Sequence, residues 1–436
     1  MAFREFDQPN VSRRSLLRGG LLLGAGTAMA GWPLGSRLLA HNHAASWPAV
    51  RATVESYVAE GKVANMLATM GWGQAVPEVI AKGVLTIGRP QVADADSLYR
   101  IYSMTKPITG MAAMMLIEDG KLTLDQPLAE ILPAYAEMKV QKEYDGGIGE
   151  DNLEPAKRPI TIRQLLTHTA GLGYGIVQKG AIRQAYEEAG LVPGQVSRIP
   201  IPGLSRAKPV GSLEAFADGL ARLPLVLQPG TKWSYSVSLD LLGRVIEVVS
   251  GKPFDRFLQE RMFDPLGMTS TFFRVPESEQ GRLTSNYGIL NGMPLPLDPA
   301  DSSIYLDQPA FPFGGAGLVS SPADYDRFQR MLVGKGVLDG VRVMSESTVR
   351  LAASNLLPEG ASTEGTWVAG QGFGAGGRVT GSAFGWGGAA GTAAFADLDS
   401  GLRAALFTQY MPSEAYPIQR SFPDLVMKDL AVMQGA

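Results

Sequence analysis

Hydrophobic positions along this chain change period several times, and each change predicts an element. Residues 47–68 read as a helical lead-in. From 72 to 101, short runs around 76–88 and 97–102 carry strand-forming residues bounded by Gly, Pro and Asp, and predict strands. Residues 104–118 return to a helical period, with Met104, Ile108, Met111, Ala112 and Met115 on one face. Pro107 is tolerated only in a first turn, so this helix starts near Ser103, and Asp119-Gly120 ends it.

Residues 121–310 read as mostly helical with long loops. ITIRQLLTHTAGLG predicts a short helix from a Thr161 cap to a glycine stop. SVSLDLLGRVIEVVSGKPF predicts an amphipathic helix with Leu241, Leu242, Val245, Ile246 and Val249 inward, stopped at Gly251 ahead of Pro253. The stretch 176–212 is rich in Gly, Pro and basic residues and reads as an excursion or lid. SPADYDRFQRMLV predicts a helix capped at Ser321 or Asp324. Residues 366–410 predict a run of strands, with a hairpin turn at Asp399-Ser400-Gly401, and 418–434 a last helix.

Strand material thus sits at both ends, with helices between. The expected architecture is α/β (α+β): a mixed, largely antiparallel sheet flanked by helices, with an inserted helical domain. The division is 46–118 plus 311–436 for the sheet domain and 119–310 for the helical one.

The chain has 436 residues, 45% of them hydrophobic and 19% charged, which suits a large core rather than disorder. Net charge is −3 overall and +3 over residues 1–45, which leaves −6 for the body. A mildly acidic body argues against nucleic acid as a partner. The absence of cysteine excludes disulfides, thiolate metal sites and a cysteine nucleophile. At the N-terminus, Arg13-Arg14 precedes an apolar run and then Ala28-Met29-Ala30. This resembles a bacterial twin-arginine export signal and implies a periplasmic protein. The run is shorter than the roughly 20 residues a spanning helix needs, so no stable membrane insertion is expected once the signal is removed.

Beyond residue 45 a single histidine remains, His168, so histidine-based metal clusters are excluded. His168 ends a predicted helix and reads as structural. No G-x-S-x-G elbow is present. Ser103 and Lys106, at i and i+3, share a helix face. Burial and the positive end of the helix dipole both favour a neutral amine there, able to take a proton from serine. The Ser103 N–H lies among that helix end's unpaired donors. Tyr235, in WSYSVS, can share a proton with a nearby amine. Trp386-Gly387-Gly388 places glycines in a strand, where another backbone or a substrate can come close.

S-x-x-K, then Y-S-x, then W-G-G, with the text around them, resembles the serine β-lactamase and penicillin-binding-protein superfamily, and within it the family VIII carboxylesterases. The resemblance spans about residues 50–410. It implies Ser103 as acyl-accepting nucleophile, Lys106 as its proton acceptor and Tyr235 as proton relay. The backbone N–H groups of Ser103 and Ala389 would form the oxyanion hole, with Trp386, Gly387, Gly388 and Val237 lining the substrate site. Two departures matter. Val237 stands where the superfamily has an asparagine, and Trp386 where it has a lysine. Both lose a polar handle for a lactam or carboxylate, and the indole offers apolar surface instead. The expected reaction is hydrolysis of a small neutral ester, short-chain or aryl, with no cofactor and no metal. A β-lactamase, a D-alanyl-D-alanine carboxypeptidase, an acyltransferase and a non-catalytic binding protein are the competing readings.

Overall fold

The computed structural model describes residues 47–194, 196–199, 205 and 207–435. The paired arginines and the apolar run behind them lie outside the described residues. Helix α1 (Pro48–Ala59) leads into strands β1 (Asn65–Trp72) and β2 (Glu78–Gly83), and then helix α2 (Thr105–Glu118). The helical region holds α3 (Ile162–Leu166), α4 (Ala181–Glu188), α5 (Leu213–Ala221) and α6 (Ser238–Ser250). Helix α7 (Pro322–Val333) precedes strands β3 (Gly372–Phe373), β4 (Arg378–Thr380), β5 (Ala383–Gly387), β6 (Ala393–Asp397) and β7 (Leu402–Phe407). Helix α8 (Ile418–Gly435) closes the chain.

These strands make one sheet in the order β3-β4-β5-β6-β7-β1-β2. Every pairing in it is antiparallel, so the main sheet is not mixed. A parallel pair occurs in a separate small sheet, between Tyr410–Met411 and Asn286–Leu290. Both faces of the main sheet are apolar. Met66, Ala68, Met70, Ala404 and Leu406 face α1 and α8, in a cluster with Val50, Val54, Phe422 and Val426. Leu67, Ala394, Ala405 and Phe407 face the other way, in the core that holds Met104, Ile108 and Phe328. Successive residues of β1 and β7 alternate between the two clusters, so both sets are buried.

Helix α2 lies inside the protein. Its residues 105–116 are all buried, as for a helix apolar all round, and Lys106 is the one charged residue among them. Gly110 brings the helix against the chain near β3, since a Cβ there would lie 2.0 Å from the Ala375 carbonyl oxygen. On its other side α2 packs against α6. The Thr161 cap, the Ser321 cap and the left-handed Gly251 behind α6 form as read from the sequence, although Val249 is only half-buried and α3 stops at Leu166, before the glycines expected to end it.

Three expectations are corrected. The lead-in helix ends at Ala59 and β1 begins at Asn65; a position between two partner strands overrides the Met- and Ala-rich composition of that stretch. The helical region also holds a hairpin, Asn286–Leu290 with Met293–Asp298, turned at Asn291-Gly292 with φ of 51° and 78°. The excursion is not all lid, because α4 buries Ile182 and Tyr186 in the main core. Among the described residues no helix is long and apolar enough to cross a membrane.

Candidate active site

Ser103 sits in a tight turn, Tyr102–Met104, that runs directly into α2. One backbone ladder holds the approach to it. Tyr99–Arg100 pairs with Val319–Ser320, and the Ile101 N–H donates to the Leu318 carbonyl at 3.0 Å. Tyr102 adopts a left-handed φ of 42°, which costs a non-glycine residue on the order of 1 kcal/mol. The surroundings enforce it. The Tyr102 hydroxyl accepts from Asn286 at 3.2 Å, and its ring meets Tyr305 edge-on. The Arg100 guanidinium, fully buried, is held by Asp298, Ser303 and the Thr284 carbonyl.

Lys106 is 0% exposed. Its Nζ lies 3.2 Å from Ser103 Oγ and donates to the Gly315 carbonyl at 2.7 Å. The Gly315 N–H donates to Asp240 Oδ1 at 2.9 Å, so one residue, through its own N–H and carbonyl, links α6 to the lysine. A side chain at 315 would run into the Asp240 carboxylate, 2.5 Å from the Cβ position. Burial raises the Asp240 pKa to about 6, against the pull of Lys106 and the Gly315 N–H.

Tyr235 reaches the same serine from the far side. Its hydroxyl donates to Ser103 Oγ at 2.7 Å, and Trp386 Nε1 donates to that hydroxyl at 3.4 Å. The ring centroid lies 4.5 Å from Lys106 Nζ. It is packed among Trp233, Trp367, Trp386 and Tyr174. His168 joins this cluster, 4.9 Å from the Tyr235 ring. The Ser236 N–H donates to its Nδ1 at 3.2 Å, and that nitrogen also lies 2.9 Å from the Ser236 hydroxyl. Burial and then Lys106 push its pKa well below the usual imidazole value, so it stays neutral. No hydrogen bond ties it to Ser103.

The structure therefore brings Ser103, Lys106, Tyr235 and Trp386 into one bonded group. Gly388 follows β5, and a Cβ on it would lie 2.3 Å from the Ile101 carbonyl, so the turn bearing Ala389 rests on the chain just before Ser103. Val237, at the start of α6, is 0% exposed and offers a substrate no side-chain surface. From the excursion, Val196 packs into the cluster that contains Tyr102 and Ala389. Asp240 and Gly315 were missed in the sequence. Each looks ordinary there, and only the fold brings residues 75 positions apart together.

The sequence model of the Beta-lactamase family matches residues 50–422. The chain belongs to that family. Lovastatin esterase of Penicillium rubens is 30% identical over 325 residues, covering 71% of this chain and 74% of that protein. A Mycobacterium tuberculosis protein is 36% identical over 264 residues, and the match covers 61% of each chain. The solved structure of EstCE1, a hydrolase with promiscuous acyltransferase activity, covers 87% of this chain and 97% of its own, with a TM-score of 0.69 at 24% identity. That likeness shows the β-lactamase-type fold, an antiparallel sheet flanked by helices.

Proposed function

We propose that this family member is a serine esterase working through an acyl-enzyme on Ser103. One observation carries the reading: a single hydroxyl has a buried amine at 3.2 Å and a phenol at 2.7 Å, from two different elements. In this account Ser103 Oγ attacks the ester carbonyl and its proton passes to Lys106. The Lys106–Tyr235 pair then delivers a proton to the departing alcohol. Water, activated by the same pair, hydrolyses the acyl-enzyme. The N–H groups of Ser103 and Ala389 stabilise the oxyanion in both steps.

Similarity to a lovastatin esterase supports ester chemistry. An indole at 386 in place of an ammonium, inside a wall of aromatic rings, supports small neutral esters, short-chain or aryl, over carboxylate-bearing lactams. Acyl transfer to an acceptor other than water is the second reading, favoured by the fold shared with EstCE1. The paired arginines and the run that follows them support export to the periplasm.

The test compares p-nitrophenyl acetate and butyrate with a chromogenic cephalosporin, for wild type and Ser103→Ala. Ester turnover that is lost in the variant, with little cephalosporin opening, is the expected result. Dominant cephalosporin opening would overturn the ester reading.

A further inference from the structure

Helix α8 packs on the outer face of the sheet, away from Ser103, yet its first turn reaches the turn that follows Trp386-Gly387-Gly388. Gln419 Nε2 donates to the Gly388 carbonyl at 2.6 Å and to the Thr392 carbonyl at 2.7 Å. Both partners are pure acceptors, so they fix which end of the amide is nitrogen and use both of its hydrogens. The Gly388 N–H also donates to the Thr392 carbonyl, at 2.8 Å, and closes the turn.

The two glycines make this clamp possible. A Cβ on Gly387 would lie 2.8 Å from Gln419 Nε2, so a side chain there would push the amide away. A Cβ on Gly388 would meet the Ile101 carbonyl on the opposite side. The Gly388–Ala389 peptide is thus held between α8 and the strand that leads to Ser103. Its carbonyl and its N–H are the two ends of one planar unit and point in opposite directions. A donor fixed on the carbonyl oxygen therefore fixes where the Ala389 N–H points. It also polarises the amide and makes that N–H a stronger donor.

We propose that Gln419 is a positioning residue, which aims and strengthens the Ala389 N–H as an oxyanion donor. The inference rests on the acyl-enzyme reading. It gives α8 a part in the chemistry without touching the substrate. Losing an oxyanion donor outright costs about 10²–10³ in kcat. Gln419 acts one bond removed, so a loss of about tenfold is expected for Gln419→Met, which keeps the shape and lacks both donors.

The experiment measures kcat and KM for p-nitrophenyl butyrate, and the Ki of an alkyl boronic acid that forms a tetrahedral adduct on serine. Wild type, Gln419→Met, Gln419→Glu and Ser103→Ala are compared. The Met variant should lose kcat about tenfold, keep KM within about twofold, and bind the boronic acid more weakly by the same factor as its kcat loss. The Glu variant presents a carboxylate to two carbonyls at neutral pH and regains a donor when protonated. Its activity relative to wild type should therefore rise as the pH falls. If the Met variant does not fold, the pH ratio of the Glu variant decides alone. An unchanged kcat in the Met variant, or a flat ratio in the Glu variant, overturns the role of Gln419 while Ser103→Ala stays inactive. Turnover that survives in Ser103→Ala overturns the acyl-enzyme reading, and this inference with it.

Discussion

Replacing Tyr235 by phenylalanine removes one oxygen and leaves the ring. That oxygen donates to Ser103 Oγ at 2.7 Å and accepts from Trp386 Nε1 at 3.4 Å. The ring's packing among Trp233, Trp367, Trp386 and His168 is unaffected. Losing one good and one long hydrogen bond costs stability about 1 kcal/mol. Losing a general acid–base group costs about 10²–10⁴ in rate, or roughly 3–5 kcal/mol of transition-state stabilisation. The catalytic loss should therefore exceed the stability loss several-fold. The assay is kcat/KM for p-nitrophenyl butyrate beside a denaturant midpoint on the same preparation. A Tyr235→Phe enzyme within about threefold of wild type would refute the proton relay, because uniform packing effects are too small to hide a term of that size.

Other outcomes follow from the same geometry. Gly110→Ala places a methyl 2.0 Å from the Ala375 carbonyl, so α2 or the chain near β3 must shift. A loss of about 1–3 kcal/mol, read as a lower denaturant midpoint, is expected, and an unchanged midpoint would contradict the close approach. Asp240 has its pKa raised from 3.8 to about 6 in the folded protein. Its protonated form is favoured by folding, so that stabilisation is complete below pH 3.8 and is lost as the pH rises through about 6. The displacement corresponds to about 3 kcal/mol. Asp240→Asn keeps an acceptor for the Gly315 N–H and should gain stability relative to wild type between pH 4 and 7, by unfolding free energies at each pH. A pH-independent difference would show that the carboxyl does not titrate there.

The sequence carried the parts of this fold that depend on local chemistry. The Thr161 and Ser321 caps, the Gly251 stop and the Asp399-Ser400-Gly401 turn are written in residues that do one thing well. Strand β1 was hidden because NMLATMGW is rich in good helix formers, and only its neighbours β2 and β7 make it extended. The hairpin 286–298 was announced by Asn291-Gly292, a two-residue turn signal, but Pro294 and Pro296 obscured the strand beside it. At the site, Ser103 and Lys106 were legible because they share one helix turn, and Tyr235 and Trp386 because the family text surrounds them. Asp240, Gly315 and Gln419 were not. Each acts by holding a backbone group that is distant in sequence, and no spacing encodes that.

The central claim is that Ser103 carries the acyl group. The most direct measurement mixes the enzyme rapidly with p-nitrophenyl butyrate, quenches in acid during turnover and maps the adduct by peptide mass spectrometry. A butyryl group on the peptide containing Ser103, absent from Ser103→Ala, is the predicted result. A turning-over enzyme with the adduct on another residue, or with none in the burst phase, would contradict it.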